Sequence, residues 1–245
     1  MNIAIIGYGN MGKEVEQAAA EKKIKVVKII TEDENYQALA INKNNLKNVD
    51  VCIEFTTPTA VWDNIEAVAT SGKDIVVGTT GWYNKLADVQ KLVKSKNIGL
   101  LYCPNFSLGV NLLYQIVNNA SHIFNKFDAY DVMVSEIHHK NKADSPSGTA
   151  LSLGNIILQN IKRKNEVLHE TSHTKIKPEQ LHITSTRVGS VIGKHSVMFD
   201  SEADTIEITH TAKNRRGFAL GALLAAEWLV GKKGVFTMKD VMNSI

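Results

Sequence analysis

An apolar run, Met1-Asn-Ile-Ala-Ile-Ile6, breaks at once into Gly7-Tyr8-Gly9-Asn10-Met11-Gly12 and then into an amphipathic stretch from Lys13 to Glu21. Strand, glycine turn and helix in that order constrain the fold more than any other feature of the chain. In such a turn the first glycine permits the tight bend and the second lets the backbone approach a pyrophosphate. The third lets the helix pack closely on the strand. A second apolar run, Val26 to Ile30, completes a βαβ unit of dinucleotide-binding type. A glycine-rich turn without a ligand is the competing reading, and the strand before it and helix after it weigh against that.

Folds of this kind place an acidic residue at the end of the second strand to hold the adenosine ribose. Here Thr31-Glu32-Asp33-Glu34 stands there. Three carboxylates repel a ribose phosphate and favour NADH, whereas the Thr31 hydroxyl could donate to a phosphate, so NADH and NADPH both remain open. Further strands at Val49 to Phe55, Ile75 to Val77 and Ile98 to Tyr102 alternate with helices at Thr59 to Thr70 and Lys85 to Lys96, the pattern of a doubly wound parallel sheet. Ligands of such sheets bind beyond the carboxyl ends of the strands. The cofactor-side candidates are therefore Gly7, Tyr8, Gly9, Asn10, Met11 and Gly12, then Thr31 and Glu32, then Phe55, Gly78, Thr79 and Thr80, and finally Cys103, Pro104, Asn105 and Phe106. Thr57 and Thr59 read as helix caps.

After Asn105 the pattern changes. A helix from Val110 to Phe124 precedes a strand from Tyr130 to Ile137 whose residues alternate, and a helix from Thr149 to Ile161 follows. Between strand and helix lies Glu136-Ile-His138-His139-Lys-Asn-Lys142-Ala-Asp144-Ser-Pro146-Ser147-Gly148-Thr149. Two imidazoles and two lysines offer proton donors, and Ser147, Gly148 and Thr149 offer amides and hydroxyls to an anion at a helix N-terminus. A solvated basic loop is the bland alternative. A metal site is the other sharp reading, but adjacent strand residues face opposite ways, and no second ligand motif occurs in the chain; no metal is expected.

Lys162 to Gln180 reads as a linker, and Leu181 to Val188, Val191 to Phe199 and Thr205 to Thr211 as strands of a mostly antiparallel region. Its polar face carries Thr, Ser and His, so this sheet is expected to pair with another copy of the chain. Phe218 to Val230 is an alanine-rich apolar helix suited to packing back on the first domain. The expected class is α/β, a Rossmann-type doubly wound parallel sheet plus a C-terminal α+β domain with a mixed, largely antiparallel sheet. The first domain takes residues 1–107 and 216–245 and the second 108–215.

With 245 residues, 44% hydrophobic, a net charge of +3 and scattered lysines, the chain has no nucleic-acid stripe. It shows no signal peptide and no membrane span, and Met1 already begins the first strand. Two cysteines in or beside interior strands fit the reducing cytoplasm.

The chain resembles the dihydrodipicolinate reductases. The likeness spans nearly its whole length and rests on Gly7-Tyr-Gly-Asn-Met-Gly12, Gly78-Thr-Thr-Gly81, Asn105-Phe-Ser-Leu-Gly-Val-Asn111, the Glu136 to Thr149 run, and Ile208 to Ala219. It implies that NADH or NADPH delivers hydride to a cyclic dicarboxylic imine formed when a hydroxylated precursor loses water, in diaminopimelate and lysine biosynthesis. It implies His138 as proton donor or acceptor, Lys142 as a proton donor that also attracts a carboxylate, and His139, Gly148 and Thr149 as substrate ligands. Arg215 matches a family arginine, with a structural salt bridge as its alternative and Arg216 beside it. The family also implies a homotetramer. Two departures stand out: Ser145 replaces the usual alanine before Pro146, and the Thr31 loop lacks both the common acid and the arginine that often follows it. The alternatives are a dehydrogenase of another substrate on the same first domain, which would usually read Glu-Lys-Pro after a middle strand, and a catalytically silent NAD-binding protein.

Overall fold

Short strands apolar on both faces need a helical layer on each side, and the N-terminal segment supplies both. The computed structural model describes residues 1–245, which divide into two compact units: Met1–Leu108 with Arg215–Ile245, and Gly109–Asn214.

The first unit is built on β1 (Asn2–Ile6), β2 (Lys25–Ile30), β3 (Val51–Glu54), β4 (Asp74–Val77) and β5 (Gly99–Tyr102), interleaved with α1 (Asn10–Glu21), α2 (Val61–Thr70) and α3 (Leu86–Lys96). Alternate residues of each strand feed opposite layers. Ile3, Ile5, Val51, Ile53 and Leu101 pack with α1 and the C-terminal helix, while Ala4, Ile6, Cys52, Ile75 and Leu100 pack with α2 and α3. Every ladder in this sheet is parallel. The strand order reverses at β1, which lies between β3 and β2.

α4 (Leu108–Phe124), which enters the second unit at Gly109, leads to β6 (Asp131–His138) and α5 (Gly148–Asn160), followed by β7 (Glu166–Leu168), β8 (Gln180–Arg187), β9 (Lys194–Asp200) and β10 (Thr205–Thr211). The five strands form a mixed sheet in the order β10-β9-β6-β8-β7. β9 pairs antiparallel with both neighbours, and β8 pairs parallel with β6 and the short β7. Val132, Val134, Leu181, Ile183, Val197 and Phe199 bury one face under α5 and α4.

The chain then returns to the first unit as α6 (Arg216–Leu229), β11 (Gly234–Thr237) and α7 (Met238–Met242). The alanine-rich face of α6 is fully enclosed.

Neither Thr57 nor Thr59 caps a helix: Ala60 is the N-cap of α2, with no side-chain bond, and the two threonine hydroxyls bond each other. Three elements also depart from the sequence-based expectation. The stretch from Lys162 to Gln180 is not wholly linker, since β7 adds an edge strand to β8, and the nearly enclosed Lys164 bonds the Gln180 carbonyl and pairs with Asp131. β9 begins at Lys194 rather than Val191, and β8 and β9 are not neighbours because β6 lies between them. β11, after Gly231, adds an edge strand beside β5 that the sequence reading left out; its four residues are too few to show a period.

Candidate active site

All the loops expected to face a cofactor leave the carboxyl edge of the parallel sheet in the first unit. Gly7 sits at φ +89°, and a Cβ there would lie 2.2 Å from the Phe55 carbonyl oxygen. A Cβ on Gly12 would lie 2.2 Å from the Gly7 carbonyl, so only glycine lets α1 approach β1 this closely. At Gly9 the space is open to 4 Å, and Gly9 caps α1 without a side-chain bond, so the first-turn amides are left for an outside acceptor. This is a cradle that fits a pyrophosphate. Tyr8 donates to Glu16 and lies under Lys13, whose Nζ is 5.8 Å from the ring centroid.

The other cofactor-side residues divide into inward and outward sets. Glu54, fully buried at the end of β3, accepts from the Thr56 amide at 3.1 Å and from the Thr56 hydroxyl, and burial pushes its carboxyl up from the usual value. The Thr56 amide also donates to Thr79 Oγ1 at 2.7 Å, and Trp82 Nε1 donates to the Thr79 carbonyl at 2.8 Å. The turns after β3 and β4 are thus tied into one rigid piece, with Thr79 turned inward and Thr80 exposed. After β5, Cys103 and Phe106 are buried, Phe106 edge-on to Phe55 with ring centroids 6.1 Å apart, while Pro104 is exposed. The Asn105 side chain accepts from the Ser107 amide at 2.9 Å. Thr31 and Glu32 follow β2, where Glu34 binds the Thr31 amide at 3.3 Å and Lys28 at 3.4 Å.

In the second unit, pleat and register assemble the other set. Residues 132, 134, 136 and 138 of β6 share its buried face, so Glu136 and His138 extend an apolar row at its C-terminal end. Ser185 and Arg187 of β8 stand opposite Glu136 and His138, and His195 of β9 stands opposite Glu136 on the other side. The Glu136 carboxylate accepts from the Ser147 amide at 2.9 Å, Ser185 Oγ at 2.8 Å and Arg187 Nη2 at 3.0 Å. Burial pulls its carboxyl up, and these hydrogen bonds outweigh that and hold it below the usual value. Burial holds the His138 imidazole below its ordinary value against the opposing pull of Glu136. His195, enclosed beside it with ring centroids 5.0 Å apart, is pushed down to about 4 by burial and by the neighbouring imidazole.

The loop after β6 returns to α5. Lys142 Nζ lies 2.7 Å from Asp144 Oδ1, and Arg187 donates to the carbonyls of Lys142 and Asp144. Ser147 caps α5, its hydroxyl accepting from the Ala150 amide at 3.3 Å, which sets Gly148 and Thr149 in the first turn. His138, His139, Lys142, Gly148 and Thr149 are thus gathered at one end of the second unit. Arg215 belongs to the first unit, where it is exposed at the start of α6, and its neighbour Arg216 pairs with Glu21. Glu136, His138 and His195 each place a ligand-type atom within 4.8 Å of the others, and the Arg187 guanidinium already gives that carboxylate a cationic partner.

Residues 1–106 match the family described as dihydrodipicolinate reductase, N-terminus, and residues 109–242 match dihydrodipicolinate reductase, C-terminus. The chain belongs to the dihydrodipicolinate reductase family. A 4-hydroxy-tetrahydrodipicolinate reductase of Christiangramia forsetii is 40% identical over 247 residues, covering 100% of this chain and 99% of that protein. One of Aquifex aeolicus is 34% identical, covering 96% of each chain. In fold, the chain is similar to a dipicolinate-bound dihydrodipicolinate reductase from Paenisporosarcina sp. TG-14, with a TM-score of 0.76, 23% identity and 97% of both chains covered.

In this family member the sequence reading missed Ser185, Arg187 and His195, and gave Glu136 no task. Ser185 and Arg187 lie 49 and 51 residues from Glu136 in sequence, and only the β6–β8 register brings them to it. The available signal was the alternation of β6 itself, which puts Glu136 on the same buried face as Val134 and so demands polar partners.

Proposed function

We propose that this family member reduces 4-hydroxy-tetrahydrodipicolinate, by way of the cyclic imine dihydrodipicolinate, to tetrahydrodipicolinate in diaminopimelate and lysine biosynthesis. The observation that carries this reading is the convergence of Lys142, His138 and the first turn of α5 at one end of the second unit, in a chain that matches the reductase family along both halves.

The Gly7–Gly12 turn would hold the pyrophosphate of a reduced nicotinamide cofactor, which when bound would supply the hydride. The remaining work falls to side chains. Lys142, released from Asp144 by a competing substrate carboxylate, attracts the dianion and donates a proton to the ring as hydride arrives. His138, uncharged at neutral pH because burial disfavours its cation, accepts or passes a proton. His139 and the amides and hydroxyl of Gly148 and Thr149 hold the other carboxylate at the α5 N-terminus. Arg215 is assigned to the substrate as well, on family likeness alone.

For the cofactor, the three carboxylates from Glu32 to Glu34 support NADH over NADPH, since a ribose phosphate would meet like charge. Reaction at His138 and Lys142 needs no metal. A homotetramer is the assembly we assign. It is supported by the edge position of β10, where Ile206 is 46% exposed, and by the family likeness. A cytoplasmic location is assigned on the two free cysteines and the biosynthetic role; no helix is long and apolar enough to cross a membrane.

The test follows near-ultraviolet absorbance of the reduced nicotinamide with freshly generated hydroxy-tetrahydrodipicolinate. Wild type is expected to consume it, and Lys142→Ala to lose about 10²-fold or more in kcat/KM. No consumption by wild type, or an unaffected variant, overturns the reading.

A further inference from the structure

Glu136 is fully enclosed and ionised, yet the reaction proposed above gives it no task. Its two carboxylate oxygens are used differently. Oε1 takes all three hydrogen bonds, from the Ser147 amide, Ser185 Oγ and Arg187 Nη2. Oε2 takes none and faces two imidazoles, His138 Nδ1 at 3.0 Å and His195 Nε2 at 3.7 Å. The His138 contact is at ion-pair distance but off the hydrogen-bond direction, so Oε2 and Nδ1 face each other without another partner. A small rotation of the ring pairs them, and a buried donor and acceptor left unpaired are costly.

On the other side of the ring, Gly193 leaves room for the second nitrogen. A Cβ on Gly193 would lie 3.0 Å from His138 Nε2, so that the bare glycine backbone is what borders this atom. Ser147, bonded to Oε1 through its amide, is also the cap of α5. One carboxylate therefore touches the proton-handling strand and the anion-binding turn together.

We propose that Glu136 is the positioning residue of this site. Through Oε1 it fixes the first turn of α5, and through Oε2 it keeps the His138 proton on Nδ1, leaving Nε2 to exchange protons with the substrate. His195, uncharged and 3.3 Å from Ser147 Oγ by its Nε2, fills the remaining side of the carboxylate. The proposal rests on the reading of His138 as a proton-exchanging group. It goes beyond that reading by specifying which nitrogen works and what holds it.

The electrostatics give a signature. The charged and titratable groups around His138 are Glu136 on its own strand, Lys142 and Asp144 from the following loop, Arg187 from β8 and His195 from β9, with His210 of β10 acting on His195. Asp144 is 55% exposed, so Glu136 is the one enclosed negative charge among them. With that charge removed, Arg187 and Lys142 are opposed only by the exposed Asp144, and His138 becomes harder to protonate.

Glu136→Gln retains an oxygen for the three donors but offers His138 an N–H in place of an acceptor. Steady-state kinetics with the reduced nicotinamide and hydroxy-tetrahydrodipicolinate should show kcat lowered about 10- to 100-fold with KM changed less than about threefold. The acidic limb of the kcat/KM profile should move to lower pH. In parallel, nitrogen NMR of the unliganded wild type, with His138→Gln to assign the ring, should show the Nδ1–H form, and the Glu136→Gln protein the Nε2–H form. A wild-type Nε2–H form, or a fall in kcat without a change of tautomer or pH limb, overturns the proposal. The wild-type tautomer is read without substrate and without the Glu136→Gln protein. If wild type fails to turn over this substrate, the functional reading falls while the tautomer result still decides the positioning role.

Discussion

Lys142 Nζ lies 2.7 Å from Asp144 Oδ1, with the lysine side chain 23% exposed and the aspartate 55% exposed. A substrate carboxylate reaching this ammonium must compete with the aspartate. An exposed pair of this kind contributes roughly 0.2–1 kcal/mol. Asp144→Asn is therefore expected to lower the substrate KM by roughly 1.5- to 5-fold, read from initial rates at fixed cofactor. A raised KM would show that Asp144 orients Lys142 rather than competing for it.

Comparison of NADH with NADPH reads the loop after β2. Glu34 is paired with Lys28 and accepts from the Thr31 amide, so the like charge facing a ribose phosphate comes chiefly from Glu32 and Asp33. NADH is expected to saturate at the lower concentration, and Glu32→Arg to narrow the difference by about tenfold, worth about 1.4 kcal/mol. A lower KM for NADPH in wild type would refute the like-charge argument.

At Gly12 the added methyl of Gly12→Ala would sit 2.2 Å from the Gly7 carbonyl oxygen, and that atom is backbone. The helix must move off the strand, at a cost of about 1–3 kcal/mol. Calorimetry should show a melting temperature lower by several degrees, and titration of NADH by its fluorescence should show about tenfold weaker binding. Unchanged cofactor affinity would mean that the α1 N-terminus does not hold the pyrophosphate.

Acid stability follows from the buried imidazoles. Burial, aided by His138, pushes His195 down to about 4 from its ordinary 6.5, and burial lowers His138 and His210 in the same direction. As pH falls, the unfolded chain takes up the proton first. The contribution of the neutral His195 is therefore complete above about pH 6.5 and lost progressively towards pH 4. Stability should rise with pH across that window, by at most about 1.4 kcal/mol per unit for this one group. Urea midpoints at about pH 5 and 7 should differ less in His195→Gln than in wild type; Glu136 and Asp144, held low, titrate below that interval. An identical slope in the variant would place the acid sensitivity elsewhere.

Local physics makes part of this fold legible in the amino-acid order. Gly7, Gly9 and Gly12 report a backbone that must turn tightly and pack closely, and the two-residue period of β6 and the helical period of α1, α2 and α3 report which faces are buried. The loops expected at the carboxyl edge of the parallel sheet, and the crowding of His138, His139 and Lys142 beside the Ser147-Gly148-Thr149 turn, follow from those periods alone. Which strands become neighbours is decided by tertiary packing. Adjacent strands in sequence often pair, yet β6 lies between β8 and β9 because its buried face and the apolar residues of both must share α5. That insertion carries Ser185, Arg187 and His195 to Glu136 from distant segments. A carboxylate in an apolar row needs partners, which the local pattern can announce; only the register of the folded sheet names them.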